Sequence, residues 1–145
     1  MESGLGRTSI YRQSGVIPHR RKDGRIEILL VTSRNGRRWV IPKGIIEPHL
    51  SPRRSAEKEA LEEAGIRGRV ARKSIGSYTY EKWSGTCHVE VFEMKVERVE
   101  AKWQEQVRTR RWFAVSDAAS KVDQKKLKQL IREVGSRASH NEKAN

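Results

Sequence analysis

A chain of 145 residues has the length of one ordinary domain with a real core. Charged residues nearly equal hydrophobic ones, 34% against 35%, so that core must be compact beneath a heavily charged surface. The 31 Lys and Arg against 18 Asp and Glu leave a net charge of +13, which favours polyanionic partners (polyphosphates, nucleic acid or a phospholipid surface) and decides nothing about fold.

Cys87 is the single cysteine, which excludes an intramolecular disulfide and fits a reducing cytoplasm. No apolar run approaches the roughly 20 residues of a membrane span. The opening stretch MESGLGRTSIYRQSG lacks the apolar middle of a signal peptide. A soluble cytoplasmic protein without a membrane partner is expected, and its oligomeric state is left open.

In chain order, residues 1–7 read as a frayed terminus. QSGVIPHRRKDGRIEILLVTSR predicts two strands around a turn at Asp23-Gly24, a strong hairpin signal. The second strand, Ile26 to Val31, is nearly continuous in Ile, Leu and Val, as expected where both faces are buried. RRWVIP is a short extended piece closed by Pro42, and Gly44 to Leu50 reads as loop. Ser51 is a plausible N-cap with Pro52 in the first helical position, and Gly65 a plausible stop, bounding a helix of about three and a half turns.

RGRVARKSIGSYTYEKW and TCHVEVFEMKVERV read as strands joined around Ser84-Gly85, and RTRRWFAV as another strand. SDAA opens a short helix. From Asp123 onward, Leu127, Leu130, Ile131 and Val134 mark an amphipathic helix that Gly135 is expected to end, leaving residues 136–145 disordered. With neither repeat nor linker, one α/β domain over residues 8–134 is predicted, a mixed sheet between helices.

Glu59, Glu62 and Glu63 span an arc of about 100° on the central helix, beside the small-residue stripe Ala56, Ala60 and Ala64. That stripe lets the helix lie close to a sheet, so the carboxylates border the buried edge. Like charges one turn apart are unfavourable, and more so when partly desolvated. A bound divalent cation removes the repulsion, and an oxygen-only ligand set suits Mg²⁺ or Mn²⁺ over zinc. The bland alternative is a solvated glutamate-rich helix, since SAEKEALEEA forms helix well on propensity alone.

The wider stretch resembles the Nudix box, G-x5-E-x7-R-E-U-x-E-E-x-G-U with U a bulky aliphatic: Gly44, Glu59, Glu62, Glu63, Gly65 and Ile66 match in register. WVIPKG, Trp39 to Gly44, resembles the family's usual approach to the box. Leu50 stands where the box has its first glutamate, Lys58 where it has arginine, and Ala60 where it has a bulky aliphatic. The first two departures remove one carboxylate and replace a forked cation with a point charge.

The resemblance implies an α/β/α sandwich and hydrolysis of a diphosphate bond. It implies Glu59 and Glu63 as metal ligands, Glu62 as a ligand or its support, and the Gly44 carbonyl as a backbone ligand. The general base of such enzymes is either a box glutamate or one from a separate loop. Glu105 in KWQEQVRTRRWF is the loop candidate, with a solvated surface glutamate as the competing reading.

Arg34, Arg37 and Arg38 precede the box strand, Arg108, Arg110 and Arg111 follow Glu105, and Lys43 adjoins the metal loop. Arginine forks match phosphate oxygens, so some of these are expected in a substrate groove, Arg34, Arg38 and Lys43 foremost. SR…RRWVIPKG with the later RRWF…DA also resembles the branch acting on diadenosine polyphosphates and diphosphoinositol polyphosphates. Tyr78, Tyr80 and Trp83 read as core or sheet surface, and Cys87 as a buried structural thiol. The four histidines lack ligand spacing. Two other readings remain at this point: removal of pyrophosphate from RNA 5′ ends, and a nucleic-acid-binding protein whose site has decayed.

Overall fold

Asp23 and Gly24 close a two-residue hairpin with φ of 51° and 78°, the left-handed pair that a tight turn between right-twisting strands requires. The structure, a computed structural model, describes residues 9–144, with side chains through His140. The expected fraying of residues 1–7 lies outside that range. The turn joins β1 (Ser9–Lys22) to β2 (Arg25–Thr32). β3 (Trp39–Val40), β4 (Lys43–Ile45) and α1 (Pro52–Glu59) follow, and α1 runs on into a π-helical turn (Ala60–Ala64). Then come β5 (Ile66–Val70), β6 (Gly76–Lys82), β7 (Gly85–Val99), β8 (Arg110–Ala114), α2 (Val115–Lys121) and α3 (Lys125–Ala144).

β1 and β7 are the two long strands, and they pair in parallel from Ser9↔Gly85 to His19↔Lys95. Each splits its other edge between two partners. β1 takes β4 along Gln13–Gly15 and β2 along His19–Lys22, both antiparallel. β7 takes β6 along its first half and β5 along its second. β2 in turn pairs with β3 and β8. β4 diverges from β2 at this split, and the segment between Thr32 and Trp39 borders the opening.

Alternation along the strands sorts the core into two layers. Leu29 and Val31 of β2, Val16 of β1 and Phe92 and Met94 of β7 pack with Ala56, Ala60 and Ala64 of the box helix. Ile28, Leu30, Ile17, Val89 and Val91 face the other way, onto Ala118, Leu127, Leu130, Ile131 and Val134 of α2 and α3. The mixed sheet thus lies between α1 and the α2–α3 pair, the expected α/β/α sandwich. No helix among the described residues is long and apolar enough to cross a membrane.

Four expectations need correction. The stretch from Arg67 onward forms two strands, β5 and β6, and the following turn sits on Trp83 and Ser84, both with φ of 56°. Gly44–Leu50 is not wholly loop, because Lys43–Ile45 pairs with β1. The box helix does not stay α-helical to its end. Finally, Gly135 does not stop the last helix, and residues 136–144 are helical rather than disordered. The reason is packing: Gly135 is buried, a Cβ there would approach the Val115 methyl carbons to 2.7 and 2.8 Å, and Ala138 is buried one turn on. This glycine serves close approach between α3 and α2.

Gly135→Ala should therefore lower the melting temperature, although alanine is the better helix former by about 1 kcal/mol. Combining it with Val115→Ala should recover part of the loss. Thermal denaturation of the two variants checks this, and a stabilised single variant would show Gly135 to be a mere interruption of the helix.

Candidate active site

The box helix begins and ends as its residues specify. Ser51 Oγ accepts the Arg54 N–H at 3.1 Å, Pro52 opens the helix, and Gly65 closes it at φ 65°. Between these caps the π turn widens the helix at Ala60–Ala64 and carries Glu62 and Glu63. π turns recur at functional sites.

The three carboxylates take different surroundings. Glu59 lies directly against Gly44, where any Cβ would overlap its carboxylate. Burial, with Glu63 and Glu62 nearby, pushes its pKa up to about 7. Glu63 is buried at 8% exposure; its Oε1 accepts the Lys43 N–H at 3.2 Å and its Oε2 faces Arg108 Nη2 at 3.4 Å. Burial raises the Glu63 pKa while Arg108 and Lys43 oppose the rise. Glu62 turns aside to an ion pair with Lys58.

Lys58 also reaches Glu47 Oε2 at 3.0 Å. Sequence reasoning passed over Glu47, which holds no box position. The structure makes it the partner of Lys58, so a carboxylate three residues upstream of Leu50 faces the cation that replaces the box arginine. The only available signal was a glutamate within the same short loop.

The segment after β7 docks on the end of the π turn and satisfies the carbonyls that a helix terminus leaves open. Glu62 O accepts the Glu105 N–H at 2.9 Å, Glu63 O the Trp103 indole N–H at 3.0 Å, and Ala64 O the Arg110 guanidinium at 2.7 Å. Arg110 also donates to Glu100 O at 2.6 Å and stacks over Trp103. Arg108 donates from Nε to Glu105 at 3.0 Å and from Nη1 to Thr32 O at 2.9 Å. Arg108 and Arg110, two of the cations that arginine chemistry placed among the groove candidates, are thus engaged by the protein itself. Only Arg108 borders the cleft, and Arg111 stands over Trp39 and Phe113.

A cleft of about 520 Å³ opens over this arrangement, lined by Arg34, Lys43, Gly44, Glu63, Tyr80 and Arg108 among others. A hollow of about 320 Å³ adjoins it, sharing Lys43 and Tyr80 and reaching Arg38 and Asp123. Arg34 is exposed, with Nη2 3.8 Å from Glu105; Arg38 is exposed, with Nε 3.8 Å from Asp123. Lys43 Nζ sits 5.1 Å over the Tyr80 ring, and burial pushes its pKa down. Tyr80 and Trp83 line the cleft, while Tyr78 and Cys87 are core. Gly44, Glu63, Lys43 and Arg34 therefore line one opening, with Glu59 behind Gly44 and Glu105 behind Arg34 and Arg108. Glu62 flanks it, and Arg38 lies one hollow further.

The donor set suits a hard divalent cation. Among the described residues no three His, Cys, Asp or Glu side chains converge into a closed cage. Mg²⁺ needs no such cage: it keeps several waters and takes one or two carboxylates plus phosphate oxygens. Beside Gly44 on β1, Ser14 Oγ is buried without a hydrogen-bond partner, on the strand face that carries Val16 toward α1. An orphaned hydroxyl next to the Gly44–Glu59 contact fits a site built for a polar occupant.

Glu59 gives a pH signature in metal-free protein. Between about pH 4.5 and 7 the unfolded chain has released this proton and the folded chain still holds it, so stability should fall as pH rises through that window. Glu59→Gln should flatten the slope, as read by chemical denaturation across pH. Arg108 gives a second expectation. Arg108→Met leaves Glu63 buried without its cation and should cost about 3–5 kcal/mol, most of it recovered in an Arg108→Met/Glu63→Gln double variant. Urea denaturation compares the two, and an unrecovered loss would mean that the Arg108 contacts to Thr32 O and Glu105, and not its pairing with Glu63, carry the stability.

The NUDIX domain family model matches residues 11–134. Nudix hydrolase 16, mitochondrial, of Arabidopsis thaliana is 32% identical, over 72% of this chain and 68% of its own length. Human diphosphoinositol polyphosphate phosphohydrolase 2 is 34% identical over 63% of this chain and 52% of its own length, so the match spans about half of that relative. Among solved structures, an Ap4A hydrolase of C. elegans superposes with a TM-score of 0.76 at 21% identity, covering 90% of this chain and 99% of that one. A MutT protein of Methanosarcina mazei superposes at 0.70 and 16% identity, covering 91% and 97%. These two likenesses concern the fold; the matched domain and the relatives' sequences decide the family. The chain belongs to the NUDIX domain family, among relatives named as hydrolases.

Proposed function

We propose that this protein is a divalent-metal-dependent pyrophosphohydrolase that cleaves a diphosphate bond in a highly phosphorylated small molecule. The supporting observation is the pairing of Glu59 and Glu63 against the Lys43–Gly44 backbone, at a cleft lined also by Arg34, with Arg38 in the adjoining hollow. Relatives named for diphosphoinositol polyphosphates, and a fold neighbour named for Ap4A, agree with a substrate bearing several phosphates.

In this reading Glu59 and Glu63 hold Mg²⁺ or Mn²⁺ with the Gly44 carbonyl, and Glu62 supports them from the Lys58 pair. When bound, the cation neutralises phosphate oxygens and acidifies the attacking water. Lys43 and Arg108 border the cleaved group and counter its charge. Arg34 and Arg38 grip phosphates distal to the scissile bond. Glu105 is the proposed proton acceptor: Arg108 and Arg34 both face its Oε1, leaving Oε2 for water.

Glu59→Gln and Glu63→Gln should each remove most turnover while the protein stays folded. Glu105→Gln should lower kcat by about 10²–10⁴. Arg34→Ala or Arg38→Ala should chiefly raise KM, by about 1.5–3 kcal/mol per lost contact, and more for substrates with more phosphates. Lys125→Ala is the remote control. Lys128 would be a poor one, because its Nζ donates to the Ala119 and Val122 carbonyls at the end of α2. The test is a Mg²⁺-dependent panel of diadenosine polyphosphates, diphosphoinositol polyphosphates, ADP-ribose, nucleoside triphosphates and triphosphorylated RNA. No cleavage of any panel member, or near-normal turnover in both glutamate variants, would refute the reading.

A further inference from the structure

A larger cleft, about 890 Å³, lies away from the carboxylates and shares no lining residue with their cleft. Its walls carry Arg20, Arg21, Arg53, Arg69, Arg72 and Lys95, against the single carboxylate Glu93, which already faces His19 at 3.4 Å. Arg53 stands near the start of α1 and Glu63 near the end of the π turn, about 15 Å apart by helix rise. The two clefts therefore occupy opposite ends of one helix.

A solvated arginine surface is the ordinary explanation, and the rest of this molecule shows what that looks like. Some exposed arginines elsewhere take acidic neighbours (Arg54 with Glu57, Arg67 with Glu100, Arg137 with Glu133), and others, such as Arg25 and Arg37, take none among the described residues; the cleft differs in gathering six cations around one concavity. In the cleft, Arg20 and Arg69 also have such partners, Glu27 and Glu97. Arg72 and Lys95 have none among the described residues, and Arg53 donates its Nε to the Val70 carbonyl with no acid facing it. Arg53, Arg72 and Lys95 thus share one concavity with no acid of their own among the described residues, and an anion with several charges relieves the repulsion among the three. Ile26, Val70 and Val96 contribute apolar lining, and no Phe, Tyr or Trp lines the cleft as a stacking platform for bases, the His19 ring being largely buried beside Glu93. A concavity of this volume has room for a compact ligand.

We propose that this cleft is a second anion site, which binds a compact small molecule bearing several phosphomonoester groups, held by Arg53, Arg72 and Lys95 and separate from the hydrolytic cleft. The probe is inositol hexakisphosphate, which has no diphosphate bond and so is not consumed. Binding is measured by calorimetry without divalent cations at about 150 mM salt. An Arg72→Glu/Lys95→Glu variant should bind about tenfold more weakly or worse with its melting temperature kept, and Arg72→Ala/Lys95→Ala should be intermediate. Arg34→Ala/Arg38→Ala should retain a binding event of unchanged affinity. The proposal is overturned if the charge-reversed protein binds as the parent does, or if the Arg34/Arg38 variant carries the whole loss. It is likewise overturned if an unphosphorylated-end RNA binds more tightly with length through Arg72 and Lys95, which would make the cleft a nucleic-acid track.

Discussion

Burial of the Glu63 carboxylate is the constraint around which the rest of the candidate site is organised. A buried charge costs several kcal/mol unless it is paired and hydrogen-bonded. Here the answer comes from two distant segments, the Lys43 amide on β4 and the Arg108 guanidinium after β7. Satisfying one side chain thus ties β4, the box helix and the Glu105 segment into one body. The Arg108 contacts to Thr32 O and Glu105 extend the same network to the end of β2 and to the proposed proton acceptor.

The backbone solves a parallel problem nearby. The π turn ends against a stretch that is neither helix nor strand, and its last carbonyls would otherwise be left open. The Glu105 amide, the Trp103 indole and the Arg110 guanidinium fill those places. A loop that looks free in sequence is therefore pinned at three points, and Glu105 is held beside the cleft by its own backbone. Residue size does the remaining work. Alanines at 56, 60 and 64 bring the helix onto the sheet, and the missing Cβ at Gly44 lets Glu59 lie on the chain opposite.

Much of this was legible locally. The Ser51 cap, Pro52, Gly65, the Asp23-Gly24 turn and the two-faced apolar run of β2 each act through neighbouring backbone or a short periodicity. The acidic triplet was visible for the same reason, since helical spacing alone brings Glu59, Glu62 and Glu63 near one another. Gly135 misled because a glycine carries two meanings, a helix stop or a close approach, and only the position of Val115 separates them. The arginines after Glu105 misled similarly: the forked geometry that matches phosphate also matches carbonyls and carboxylates of the protein. Glu47 gave no signal beyond its place in the loop, because its partner Lys58 lies across a loop and a helical turn.

By itself, the sequence determined the elements whose causes lie within a few residues: caps, the first hairpin, amphipathic faces, and the carboxylates spaced along one helix. It also carried the box pattern, and with it the family. Tertiary structure alone decided which cations are free for a ligand and which are consumed inside, that α3 passes through Gly135, and that one glutamate of the triplet is buried, one has its pKa pushed up by burial beside the other two, and one is paired outward. The division follows from range. Local backbone preferences act between neighbours, whereas desolvation and charge pairing depend on groups that the chain brings together from tens of residues away.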